Sequence, residues 1–107
     1  MAGVSAQTKR VVVTGIGCVT PLGGNYSTTL AAAFAGRSGA GQITHFDPLG
    51  FPSRIAAEYG PALAPKVLRA RDLRRTNRCV LFALEATAEA LNSSGLEIDD
   101  GNRDRVG

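Results

Sequence analysis

Tryptophan is absent, and aromatic residues make up only 6% of the chain. Modules that bind single-stranded nucleic acid stack bases on aromatic side chains, so this composition argues against a nucleic-acid partner. Cysteine and histidine are scarce as well: two cysteines, Cys18 and Cys79, and one histidine, His45. A structural zinc site draws four ligands from those residue types, and no metal is expected. The opening segment MAGVSAQTKR lacks the apolar stretch of a secretory leader. The two thiols therefore read as free thiols in a reducing compartment, and the expected location is the cytoplasm. No apolar run approaches the roughly 20 residues that cross a bilayer, so no membrane span is expected either.

What is present fits one small globular domain. The chain has 107 residues, 44% of them hydrophobic and 20% charged, which excludes collagen-like and disordered classes. The formal net charge of +3 is a modest basic bias that permits an acidic partner without requiring one. Thirteen glycines point to tight turns and close backbone approaches.

Residues 1–9 read as a disordered arm, and the domain begins at residue 10. Arg10-Val11-Val12-Val13-Thr14-Gly15 is a β-branched run of the kind buried on both faces in a parallel sheet. Pro21, Gly23 and Gly24 interrupt regular structure. Asn25 is a candidate N-cap for a helix over Tyr26 to Ala35, with Leu30 and Phe34 on its buried face and Gly36 as its stop. Residues 37–53 read as loop. Ile55, Ala57 and Tyr59 alternate with Arg54, Ala56 and Glu58 as a short one-sided strand. Pro61 and Pro65 mark a linker, and Lys66 to Arg75 should contain a short helical turn. Val80, Leu84, Thr87 and Leu91 recur at helical spacing within a long helix over Asn77 to Ser93, closed by Gly95. Val106-Gly107 reads as the first residues of a second buried strand. The order strand, helix, strand, helix indicates an α/β architecture.

The motifs narrow the chemistry mainly by exclusion. A strand followed by Gly15-x-Gly17 invites a dinucleotide-binding reading, but Thr20 stands where the third glycine belongs and Pro21 follows where a helix should begin. A nucleotide-dependent oxidoreductase is disfavoured on that ground, and no cofactor is expected. Cys18 and Cys79 read as packed thiols, since neither has a neighbouring base in sequence. Ser38, His45 and Asp47 share one loop without a nucleophile elbow, so His45 reads as a loop residue bonded to backbone. Glu85 and Glu89 lie one helical turn apart. They could pair in acid–base work or simply form a solvated face. Arg69, Arg71, Arg74, Arg75 and Arg78 form a basic cluster interrupted by Asp72. Arginine suits the gripping of phosphate or carboxylate, and a solvated basic turn would read the same way.

The blocks RVVVTGIGCVTPLGGN, AAAFAGRSGAGQITHFD, FPSRIAAEY, RRTNRCVLFALEATAEALNSSGLEID and NRDRVG follow one another in the chain. In order and spacing they resemble the N-terminal part of β-ketoacyl-acyl carrier protein synthases, most closely the type II elongation enzymes. The resemblance implies an incomplete N-terminal part of a thiolase-like fold over residues 10–107. It implies a homodimeric parent that extends acyl chains by decarboxylative condensation with malonyl-acyl carrier protein. The family's nucleophilic cysteine and its two histidines fall on no residue of this chain, so no catalytic residue is assigned and the chain itself is expected to be inactive. Basic residues before the long helix receive the acidic acyl carrier protein in that family, and Arg71, Arg74 and Arg75 match those positions. A non-catalytic relative of the chain-length-factor kind is the alternative.

Overall fold

The computed structural model describes residues 7–107. Most of the arm expected at residues 1–9 thus lies outside the described residues, and residues 7–9 are exposed irregular backbone. In chain order the elements are helix α1 (Tyr26–Phe34), strands β1 (Ala40–Gln42) and β2 (Ile55–Ala57), helices α2 (Ala70–Leu73) and α3 (Arg78–Ser94), and a 3-10 turn at Arg103–Arg105. The class is α/β, as the sequence indicates; of the expected strands, only the one around Ile55–Ala57 forms among the described residues.

The run Arg10–Gly15 is not a strand. Val11, Val12 and Val13 are 93%, 69% and 78% exposed, and no hydrogen bond joins the backbone of residues 10–15 to another described residue. A strand exists only as part of a ladder, and β-branched composition cannot supply the missing neighbour. The tail behaves likewise. Val106 has extended backbone (φ −104°, ψ 115°), but it follows a 3-10 turn and pairs with nothing described.

The sheet is instead an antiparallel pair, β1 with β2, in the register Ala40↔Ala57, Gly41↔Ala56 and Gln42↔Ile55. β1 falls within the stretch read as loop, because Ala40-Gly41-Gln42 offers neither β-branched nor alternating side chains. β2 lies inside the expected Arg54–Tyr59 stretch, but it is shorter and its sidedness is reversed: Ile55 is 66% exposed and Ala56 is the half-buried position.

Helix boundaries follow the sequence closely. Asn25 caps α1, its Oδ1 accepting from Thr28 N at 2.8 Å, and this satisfies one of the N–H groups that a helix start leaves unpaired. The alanines at 31–33 favour the helix, and Ala32 is buried. Leu30 and Phe34, expected on a buried face, are 38% and 85% exposed; among the described residues no layer covers them. Asn77 caps α3 through Cys79 N at 3.2 Å, and Gly95 ends it in the left-handed region at φ 68°, where a side chain would be strained.

One face of α3 organises the N-terminal half. Phe82, Ala86, Glu89, Ala90 and Ser93 recur every three or four residues and so line one stripe. A side chain at Gly17 would run into the backbone of Ala86, and one at Gly15 into the backbone of Ala90 and Ser94. The Gly-x-Gly pair thus serves backbone contact with a helix, where a dinucleotide fold would use it to approach a pyrophosphate. Ile16 N donates to Ser93 Oγ at 3.2 Å, and Cys18 N and Tyr26 N both donate to the Glu89 carboxylate. At the other end of the stripe the Tyr59 ring meets Phe82 edge-on at 5.9 Å. Little else is buried among the described residues: Ala32, Leu63 and Pro65.

Candidate functional site

The arginine cluster lies on α2 and the bend that joins it to α3. The α2 turn starts where Asp72 N and Leu73 N donate to the Arg69 carbonyl, at 2.9 and 3.0 Å. It closes where Arg75 N and Thr76 Oγ1 donate to the Asp72 carbonyl, at 3.0 and 2.7 Å. Asn77 then starts α3. This short run of local bonds holds Arg71, Arg74 and Arg75 around one concavity, together with Asp72.

All three arginines are exposed. Arg71 Nε lies 3.6 Å from Asp72 Oδ1, with the two side chains 74% and 47% exposed. An ion pair so wet contributes about 0–1 kcal/mol. Arg74 and Arg75 form no ion pair with another described residue. Three guanidinium groups against one carboxylate leave the concavity positive and its donors available to an anion. Arg78 separates from the cluster, because its guanidinium donates to the Tyr59 carbonyl and lies 5.2 Å from the centre of the Phe82 ring. Its role is to fasten the chain after β2 to the first turns of α3.

The other candidates do not assemble. Ser38 Oγ accepts from Ala40 N at 3.2 Å, and Asp47 Oδ1 accepts from Leu49 N at 3.0 Å; both are local turn contacts. The His45 ring makes no hydrogen bond with a described residue, contrary to the expected backbone contact. Its neighbour Thr44 donates both its N–H and its hydroxyl to Glu58 Oε2, at 2.9 and 2.8 Å. The Thr44 N–H is the main reason that the Glu58 carboxyl titrates below its ordinary value. Cys18 is half-buried, and Cys79 is exposed on the first turn of α3 where packing was expected; no described layer covers that turn. Among the described residues no group of three or more His, Cys, Asp and Glu could hold a metal ion, and no helix is long and apolar enough to cross a membrane.

Glu89 is neither half of a carboxylate pair nor part of a solvated face. Its Oε2 accepts from Cys18 N at 3.0 Å, and Oε1 accepts from Tyr26 N at 2.9 Å. It thereby ties the turn after Gly17 and the start of α1 to α3. The only sequence signal for this role is an acidic residue inside a stripe of small ones, Ala86, Ala90 and Ser93.

Residues 8–107 match the family model described as β-ketoacyl synthase, N-terminal domain. The chain belongs to that family. It is 45% identical over 104 residues to 3-oxoacyl-(acyl-carrier-protein) synthase 2 of Coxiella burnetii, covering 94% of this chain and 24% of that protein. Proteins of the same name from Vibrio cholerae and Synechocystis sp. are 33% identical over 99 residues and 35% identical over 101 residues, each again covered over 24% of its length. The chain therefore spans about a quarter of the length of these synthases. The resemblance read from the collinear blocks is borne out over almost the whole chain.

Proposed function

We propose that this chain is the carrier-protein-facing N-terminal part of a condensing enzyme of fatty acid synthesis, built on a thiolase-like fold and acting in the cytoplasm as a homodimer. The whole enzyme would take an acyl group onto a cysteine as a thioester. It would then condense that group with malonyl-acyl carrier protein as carbon dioxide leaves. Those chemical groups are supplied outside this chain, which alone would catalyse no condensation. What the chain contributes is recognition. Arg71, Arg74 and Arg75 present guanidinium groups to an acidic carrier protein, steering its approach and orienting its prosthetic arm.

The observation that carries this reading is the exposed, unpaired state of Arg74 and Arg75 beside a structurally committed Arg78. The test is a synthase in which this segment replaces the corresponding part of the Coxiella relative. Arg74→Glu with Arg75→Glu should raise the apparent KM for acyl-carrier protein and flatten its dependence on ionic strength. Transfer from a small thioester lacking the carrier should stay unchanged. Equal loss of both activities would make the cluster structural, and loss of neither would make it a solvated turn.

A further inference from the structure

The arginine cluster sits in a loop whose two ends are fastened to each other. Residues 60–77 carry α2 with Arg71, Arg74 and Arg75, and Tyr59 and Arg78 stand on either side of them. Across that separation of 19 positions the Arg78 guanidinium donates to the Tyr59 carbonyl. The same guanidinium lies 5.2 Å from the centre of the Phe82 ring, and that ring meets the Tyr59 ring edge-on at 5.9 Å. Tyr59 is confined from a further side, since a side chain at Gly24 would run into its hydroxyl. The loop is also packed within itself. Leu63 and Pro65, two of the three buried residues among those described, belong to it, and Leu68 N donates to the Pro65 carbonyl at 3.0 Å.

Arg78 therefore differs in kind from its basic neighbours. Arg74 and Arg75 form no ion pair with another described residue, whereas Arg78 is committed to a carbonyl and a ring. A guanidinium donates in its own plane and stacks on an aromatic ring with its face; an ammonium has no such plane and does not combine the two contacts in that way. Closing a loop at its base removes freedom that its ends would otherwise keep. A surface already held in one arrangement binds more tightly than one that must be ordered on contact. We propose that Arg78 is a positioning residue for carrier docking. It closes the base of the 60–77 loop and so sets where Arg71, Arg74 and Arg75 stand relative to α3, without itself touching the partner. The proposal rests on the carrier-protein reading above and assigns the geometry of that site to a residue outside the contact surface.

The test uses the synthase that carries this segment, as for the carrier experiment above, with Arg78→Met, Arg78→Lys and Phe82→Leu. Each should raise the apparent KM for acyl-carrier protein about three- to tenfold. The kcat, and transfer from a small thioester lacking the carrier, should stay unchanged. Phe82→Leu alters no charge and Arg78→Lys keeps it, so a mere docking charge predicts an effect from Arg78→Met alone. Because Arg78 and Phe82 act as one device, Arg78→Met with Phe82→Leu should cost no more than the larger single change. In the 107-residue chain, Arg78→Met should speed amide exchange at Leu68 and Arg75 about threefold or more and leave the middle of α3 unchanged. The proposal is overturned if Arg78→Lys and Phe82→Leu leave KM unchanged, if carrier-dependent and carrier-free activities fall together, or if exchange in the loop does not respond. A KM that responds to Arg74→Glu with Arg75→Glu but not to the Arg78 and Phe82 changes overturns the positioning role alone. A KM that responds to none of them, while loop exchange does, overturns the carrier-protein reading and the proposal with it.

Discussion

Individual side chains fix the geometry between elements in this chain more than buried volume does. Glu89 is the clearest case, with one carboxylate receiving two backbone N–H groups from segments 63 and 71 residues away. Hydrogen bonds to a charged partner contribute about 1.5–3 kcal/mol each. Glu89→Ala should therefore speed amide exchange at Cys18 and Tyr26 by roughly tenfold or more, while amides in the middle of α3 change little. Gly17→Ala should disturb the same contact from the other side, because its methyl meets the Ala86 carbonyl. Glu58 gives a pH dependence of defined sign. Its carboxyl titrates below the ordinary 4.5, chiefly through the Thr44 N–H, with the Thr44 hydroxyl and the charge of His45 adding to the effect. A depressed folded-state value means that the clasp contributes fully above the ordinary value and is lost as pH falls through the folded one. Thr44 amide exchange, followed from neutral pH downward and corrected for its intrinsic pH dependence, should rise in that acid window. In Glu58→Gln the step should disappear. None of these roles was legible in the sequence except as candidate lists. Glu89 and Glu85 look alike on a helix, and only the arrival of a distant loop distinguishes them.

Elements were legible where their signals are local. Asn25, Asn77 and Gly95 act within a few residues of their own positions, and the helices start and stop where those residues place them. Asn77→Ala should fray the first turn of α3 at a cost of about 1 kcal/mol. That would show as faster exchange at Cys79 and Val80, and as weakened packing of Phe82 on Tyr59. Strands were poorly legible because pairing is not a local property. The strongest β-pattern in the chain, Val11–Val13, stays unpaired, and the weakest, Ala40–Gln42, forms a ladder because Ile55–Ala57 lies within reach. The arginine cluster was legible as a charge pattern, and the structure divides it by use. Arg78 spends its guanidinium on Tyr59 and Phe82, and Arg71, Arg74 and Arg75 keep theirs in solvent.

At the scale of the whole molecule the burial is too small for an autonomous fold. A compact protein of 11.1 kDa exposes roughly 5,700 Å², and this chain exposes 8952 Å². Its radius of gyration is 19.7 Å, where about 13 Å is usual for 100 residues. The excess is apolar in good part: Phe34, Leu49, Val67 and the three valines at 11–13 are all more than two-thirds exposed. Conformational entropy costs about 1–2 kcal/mol per ordered residue, and the few buried apolar side chains among the described residues, Ala32, Leu63 and Pro65, cannot offset it. The helices retain their caps and the α3 stripe retains its polar clasps, so secondary structure should outlast tertiary order. Heating the chain alone should then give a broad, weakly cooperative loss of far-ultraviolet dichroism, with strong binding of an apolar dye already at low temperature. A sharp two-state transition of a dye-free monomer would show that the chain buries its own core after all.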